Sequence, residues 1–343
     1  MTKFDWPLMS NNINQADKRA LTRFIKQSDK FTNGEKVKTF EKKWSKWLGV
    51  KYSTFVNSGA SSNLITLKIL REMKKNKSEV IVPAFTWNSD VVSVINSGFK
   101  PIFVDINLKN LALDEEKVKK KISKKTAAIF LTHAMGFVGI SKKFLKFIKD
   151  KKIFLIDDCS QAHGAYDGNK KLKRNKVGSI ADISCFSLYP GKNLGAYGDA
   201  GIITTNNKKL YKIIKNIRNL GSEKKFIHNY IGVNSRLDTI QAIILNKKLK
   251  NLERLNLKRK KIADIYDKKI LNDKIIKLEY SRYSVYHQYV ILVKERDKLI
   301  RVFNKKKIQY NFHYPFAIHQ LKIFRNYFKK EKYINAERLA KEG

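Results

Sequence analysis

The chain has little cysteine. Cys159 and Cys185 are the only two in 343 residues. Two thiols cannot build a disulfide framework, so a reducing, cytoplasmic setting is expected. Long apolar runs are lacking too. None approaches the ~20 residues that span a bilayer, which speaks against membrane insertion. Met1–Ser10 contains Asp5 and Pro7 and no apolar stretch, so no secretory signal is expected there. No Pro-, Gly- or Ser-rich linker and no internal repeat is visible. Acid is scarce: 30 Asp and Glu stand against 72 Lys and Arg, a formal net charge of +42. Such an excess raises nucleic acid or an anionic surface as partner. The excess is mostly lysine, however, spread along the whole chain beside abundant Asn and Ile. It is not clustered with glycines or stacking aromatics, as an RNA-binding module requires. It reads as compositional drift on solvated faces, and nucleic acid is not the expected partner.

Hydrophobic residues make up 43% and aromatics 11% of the chain. That is enough for a sizeable core, and the length suits one large and one small domain. Val37, Phe40, Trp44 and Leu48 recur at helical spacing in residues 36–48. Tyr52–Val56 reads as a strand, followed by Asn57-Ser58-Gly59-Ala60-Ser61 and a helix with Leu64, Leu67 and Leu70 inside. Strands follow at Glu79–Val82, Pro101–Ile106, Ala127–Thr132 and Lys152–Ile156. Helices lie between them, one capped by Asp114 and one near residues 141–150. Asp182–Leu188 and Ala200–Thr205 come without a helix between them. This alternation predicts an α/β fold with a mostly parallel sheet covered on both faces. Beyond residue 207 the pattern turns helical, with one long helix expected over 237–265. A strand is expected at His287–Val293, a helix at 295–306 and a strand at Tyr310–Tyr314.

Ligands of open parallel sheets bind outside the carboxyl ends of the strands. Those ends carry Ser58-Gly59-Ala60-Ser61, Trp87, His133, Asp158, Ser187 and Lys192. Gly59-Ala60-Ser61 opens a helix, where free amides and the helix dipole favour a phosphate. A plain turn with Ser58 as the helix cap reads equally well. No G-x-G-x-x-G is present, so a dinucleotide fold is not supported. Asp158 suits the partner of a pyridine nitrogen, with a helix cap or a metal ligand as the bland readings. Asp157 and Asp158 point to opposite faces of a strand and do not read as a carboxylate pair. No metal-ligand spacing surrounds them, so no metal is expected. Lys192 stands among Gly191, Gly195, Gly198 and Gly201, which permit a tight backbone path near a ligand. An amine held there with little solvent can form an imine. Trp87 could stack on a ring, although a tryptophan at a strand end is more often core. The two cysteines read as packing residues, and His133, His163 and His313 each read as structural when taken singly.

Longer motifs join these residues. They include Phe55–Gly59, Pro83-Ala84-Phe85-Thr86-Trp87, Asp158-Cys159-Ser160-Gln161-Ala162-His163-Gly164, Phe186–Gly201, Asn234-Ser235-Arg236-Leu237-Asp238 and His313-Tyr314-Pro315. In this order, from about Asn11 to the end, the chain resembles the DegT/DnrJ/EryC1/StrS family of sugar aminotransferases. The resemblance implies the aspartate-aminotransferase-like architecture of fold type I. Residues 1–245 would form a large domain that binds pyridoxal 5'-phosphate. Residues 246–343 would form a smaller α+β domain, stopping at Gly343 short of the family's final strand and helix. Lys192 would carry the cofactor as a Schiff base and move the proton. Asp158 would pair with the ring nitrogen, Gln161 would lie near the ring hydroxyl, and Trp87 would stack on the ring. Ser187 and the Gly59-Ala60-Ser61 turn would hold the phosphate. Asn234 resembles a residue that reaches the neighbouring subunit's phosphate, and His228 and His313 would face the substrate or the partner's site. These roles imply a homodimer, an amino-acid donor such as L-glutamate, and a keto sugar linked to a nucleotide diphosphate. Two alternatives remain: a related sugar dehydratase, whose members carry His at the position of Lys192, and a basic binding protein that kept the fold without activity.

Overall fold

A computed structural model of the chain describes residues 4–5, 14–28, 30–166, 176–281, 283–327 and 331–343. Most of the Met1–Ser10 segment and the Asn11 end of the family resemblance lie outside these residues. In chain order the elements are α1 (Gln15–Gln27), α2 (Glu35–Leu48), β1 (Tyr52–Val56), α3 (Gly59–Met73), β2 (Glu79–Pro83), α4 (Asn88–Asn96), β3 (Lys100–Val104), α5 (Glu115–Lys121), β4 (Thr126–Thr132), α6 (Lys142–Asp150) and β5 (Phe154–Asp158). The second half continues with β6 (Ile183–Ser187), β7 (Gly201–Thr205), α7 (Lys208–Arg218), β8 (Ser222–Lys224), β9 (Ile227–His228), α8 (Thr239–Lys248), α9 (Leu252–Lys269), β10 (Ile275–Lys277), β11 (Ile291–Val293), α10 (Arg296–Lys305) and α11 (Ile334–Glu342).

Seven strands form one sheet in the order β1-β7-β6-β5-β4-β2-β3. Strand β7 runs antiparallel to both β1 and β6, and the pairings from β6 through β3 are parallel. Short apolar strands separated by amphipathic helices force this arrangement, because each crossover covers one face of the sheet. All seven residues of β4 are accordingly buried. Helix α2 lays Val37, Phe40, Trp44 and Leu48 on one stripe, and all four are buried. Each such side chain contributes about 1.5–3 kcal/mol on leaving water. Behind that stripe, Arg218 Nη1 donates to Glu41 Oε1 at 3.0 Å and to the Phe55 carbonyl at 2.9 Å, tying α7 to α2 and β1. Asp114 caps α5 by accepting from the Glu116 and Lys117 amides, as its position predicts.

The C-terminal residues fold back onto this body. Leu278, Leu292, Ala317, Phe324 and Leu339 share one buried cluster with Val82, Phe103 and Phe130. Asp105, just past β3, accepts from the Ala336 amide at 2.9 Å and the Asn335 amide at 3.2 Å. It thereby satisfies donors at the start of α11.

Three expectations are corrected here. The helix over 237–265 is two helices joined by a 3-10 turn at Leu249–Asn251, and the second runs on to Lys269. Of His287–Val293, only Ile291–Val293 is strand. The carbonyls of Tyr286 and His287 accept instead from Arg259 Nη1, and that of Gln288 from the Tyr280 hydroxyl. Side chains thus take the place of a neighbouring strand. Tyr310–Tyr314 is irregular: the Phe312 amide bonds to the Asn311 side chain, and the His313–Tyr314 peptide is cis.

Candidate active site

The carboxyl ends of β1, β2, β4, β5 and β6 face one cleft. At the end of β1 the chain turns directly into α3. Ser58 adopts an extended backbone, and its hydroxyl oxygen accepts from the Ser61 amide at 3.1 Å. The capping reading of Ser58 therefore holds, and the Ser61 amide is already engaged. Ser58 Oγ also donates to Ser61 Oγ at 3.0 Å. Gly59 is pressed against the end of β6. A Cβ placed on Gly59 would lie 2.5 Å from Ser187 Cβ, so no larger residue fits without displacing Ser187. Ser187 is itself fixed, its amide donating to Ser160 Oγ at 2.8 Å. Ala60 is exposed on the first turn of α3. The result is a small concave surface made of a helix N-terminus and two serines.

Asp158 ends β5 and is buried. Its Oδ1 accepts from the Ser160 amide at 2.7 Å, and Asn63 Nδ2 on α3 approaches Oδ2 at 3.4 Å. Asn63 Nδ2 also donates to Asp90 Oδ1 at 2.9 Å. Asp90 lies on α4, fully buried, and accepts from the hydroxyls of Thr86 and Thr132. Burial, followed by the charge of Asp158, holds the Asp90 carboxyl well above its ordinary range. Asp157 and Asp158 do point apart. The carboxylate pair that exists is Asp90 with Asp158, contributed by two elements distant in sequence.

Lys192 sits on the loop after β6. Its amide donates to the Tyr189 carbonyl at 2.9 Å, while Ala196 donates back to Leu188 at 2.8 Å, so the loop closes on itself. Gly195 makes this closure possible, because a Cβ there would lie 2.4 Å from the Pro190 oxygen. Burial pulls the Lys192 amine below its ordinary value, and the charges of Asp158 and Asp90 oppose that pull. Three imidazoles feel the same amine. His163 is lowered to about 3, by burial first and then by Lys192. His287 and His313 are lowered in the same order of causes. They surround the amine as neutral groups. His287 Nδ1 also bonds Asn193 Oδ1 at 3.0 Å, which steadies the residue next to Lys192.

Gln161 bridges the 3-10 turn after β4 to the C-terminal segment. Its Oε1 accepts from the Met135 amide at 2.6 Å, and its Nε2 donates to the Tyr314 hydroxyl at 3.0 Å. The Trp87 ring lies 5.4 Å from that of Tyr314. Trp87 is 55% exposed, so it is not the core residue that its position alone suggested. Among the described residues, then, Gly59 packs against Ser187, Ser61 is bonded to Ser58, Gln161 reaches Trp87 through Tyr314, and Lys192 feels the charge of Asp158 while His313 feels that of Lys192.

His228 and Asn234 are placed elsewhere. His228 lies exposed on β9 with Nδ1 bonded to the Leu220 carbonyl at 2.9 Å, and Asn234 bridges Asn219. Asp90, Asn63, Tyr314 and His287 are the site residues that sequence reasoning missed. Asp90 carried only the signal of an acid in the first turn of a helix. His133, Asp157 and Cys159 also meet, their ligand atoms within 4.8 Å of one another, although no sequence spacing marked them. The Gly139 amide donates to His133 Nδ1 at 3.0 Å. His133 Nε2 faces Asp157 Oδ2 at 3.5 Å.

Known proteins resemble the chain over nearly its whole length. The model of the DegT/DnrJ/EryC1/StrS aminotransferase family matches residues 12–343. The dTDP-3-amino-3,6-dideoxy-alpha-D-galactopyranose transaminase of Aneurinibacillus thermoaerophilus is 34% identical, over 89% of this chain and 83% of its own length. The crystal structure of Streptomyces venezuelae DesV with a ketimine intermediate superposes with a TM-score of 0.87. It is 26% identical and the match covers 95% of this chain and 87% of that one. A GDP-4-keto-6-deoxymannose-3-dehydratase holding a trapped PLP-glutamate geminal diamine has a TM-score of 0.89 at 25% identity, over 98% of this chain and 94% of that one. The chain belongs to the DegT/DnrJ/EryC1/StrS aminotransferase family.

Proposed function

We propose that the protein is a pyridoxal-phosphate-dependent aminotransferase that moves an amino group from L-glutamate to the keto group of a deoxysugar linked to a nucleotide diphosphate. The observation that carries this reading is the poorly solvated amine of Lys192, set near the buried Asp158 in one cleft. The donor set fits the cofactor. The start of α3, with the Ser61 and Ser187 hydroxyls, offers a phosphate cradle in which a Cβ at Gly59 would collide. Asp158 offers a carboxylate for the ring nitrogen, Gln161 an amide beside the ring, and the exposed face of Trp87 a stacking surface. When bound, the cofactor supplies an electron sink for the carbon that bears the amine.

The chain's own groups do the rest. Lys192 would hold the cofactor covalently, and its amine would take and return the proton at that carbon. Its depressed basicity favours the neutral amine that a base requires. His163, His287 and His313, held neutral, add no competing positive charge beside it. Tyr314, held by Gln161, orients Trp87 from the opposite wall.

Homodimerisation belongs to the same reading. The β8–β9 hairpin and the segment after it expose Phe226, Ile227 and Ile231, with Phe226 84% and Ile231 85% accessible. Apolar residues left in water in this way suit a partner surface. A second copy would cover them and bring His228 and Asn234 toward its own cleft. Sedimentation should find a dimer, and Ile231→Asp should shift it toward monomer. A wild type that sediments as a monomer at all concentrations contradicts this part.

The reaction is tested by mixing the cofactor-loaded protein with L-glutamate alone. The expected outcome is stoichiometric pyridoxamine phosphate and 2-oxoglutarate. Conversion by another amino acid but not by glutamate would remove the donor. No conversion by any amino acid would remove the aminotransferase reading.

A further inference from the structure

The pair formed by Asp90 and Asp158 is not explained by folding alone. Asp158 Oδ1 is held by the Ser160 amide, which leaves Oδ2 as the oxygen free to meet a ligand. Toward that side reaches Asn63 Nδ2, which also donates to Asp90 Oδ1 and so bridges the two carboxyls. Asp90 is held from three elements. Thr86 and Thr132 donate to its Oδ2, and Asn63 donates to its Oδ1, with Ser89 Oγ at 3.4 Å. Burial, then the charge of Asp158, raises the Asp90 carboxyl well above its ordinary range, so Asp90 favours its neutral form. The other titratable groups facing the pair are Lys192 on the loop after β6, Tyr314 on the C-terminal segment, Cys185 on β6 and, toward Asp158, Cys159. None is an acid of ordinary strength that could replace Asp90 in this role, since burial raises both thiols.

We propose that Asp90 is a positioning residue: through the bridging Asn63 amide it holds the Asp158 carboxylate oriented toward the cofactor's ring nitrogen. This rests on the reading of Asp158 given above. Asp90 itself need not touch the cofactor. It acts through the oxygen that does.

The test compares wild type, Asp90→Asn, Asp90→Ala and Asn63→Leu, each confirmed as folded by circular dichroism. Cofactor-free protein is titrated with pyridoxal phosphate, and the pH at which the bound cofactor's absorption band changes is recorded. Asp90→Asn keeps a neutral donor in place and should bind within about 3-fold of wild type, with an unmoved transition. Asp90→Ala removes the acceptor that anchors the Asn63 amide beside the Asp158 carboxylate and should weaken binding about 10- to 100-fold and move the transition. Asn63→Leu should move both in the same direction, and it decides the matter if Asp90→Ala does not fold. The inference is overturned if Asp90→Ala, or failing that Asn63→Leu, matches wild type in both readouts. It is also overturned if Asp90→Asn loses as much as Asp90→Ala, since Asp90 would then act as a second anion. A wild type that binds no pyridoxal phosphate would instead remove the reading of Asp158 on which this rests.

Discussion

Gly59→Ala is the sharpest structural perturbation of the phosphate cradle. The added Cβ would stand 2.5 Å from Ser187 Cβ and 2.9 Å from Ser187 Cα. Carbon atoms in good contact lie about 3.5–4.0 Å apart, so α3 and the end of β6 must separate by about 1 Å. Ser187 cannot yield by rotation, because its backbone is in contact too and its amide is bonded to Ser160. Overpacking of this kind costs about 1–3 kcal/mol. Alanine is a better helix former than glycine by up to about 1 kcal/mol, which offsets part of the loss. The net effect on stability of the cofactor-free protein is therefore modest, about 0–2 kcal/mol by urea denaturation. The effect on the cofactor should be larger, because both walls of the cradle move apart. A loss of at least 10-fold in pyridoxal phosphate affinity, about 1.4 kcal/mol, is expected from equilibrium titration. Unchanged affinity together with unchanged stability would refute the close approach of Gly59 to Ser187.

Other predictions follow from the same geometry. His163 is lowered to about 3, so from its ordinary value near 6.5 downward the unfolded chain binds a proton that the folded one refuses. Stability should fall as pH drops through that window and not change on this account above it. His163→Gln should lessen the loss of unfolding free energy between pH 7 and pH 5 by about 2 kcal/mol, measured by urea denaturation. Arg218→Met leaves Glu41 buried without its cation, and thermal or urea unfolding should show a loss of about 3–5 kcal/mol. Equal stability of that variant would mean the pair contributes nothing net.

The periodic elements were legible in the sequence because their causes are local. Val37, Phe40, Trp44 and Leu48 declare α2 by spacing, and Asp114 declares a helix start by its side chain. Lys192 stood out from many lysines because of its glycines, and Gly195 is where the loop closure needs one. What stayed hidden depends on contacts between distant segments. Asp90 looks like any acid in a first turn until α4 packs against α3, whose Asn63 links it to Asp158. His287–Val293 looks like a strand until Arg259 and the Tyr280 hydroxyl take its carbonyls. Trp87 looks like core by residue type and is exposed because the cleft opens beside it. His133, Asp157 and Cys159 meet only once β4 and β5 lie side by side.

The central claim is that Lys192 is the residue joined to the cofactor. Borohydride reduction of the protein loaded with pyridoxal phosphate, followed by peptide mass spectrometry, tests it directly. A phosphopyridoxyl group on Lys192, absent from Lys192→Ala treated in the same way, is the predicted result. A folded wild-type protein with no adduct on Lys192 would contradict the claim.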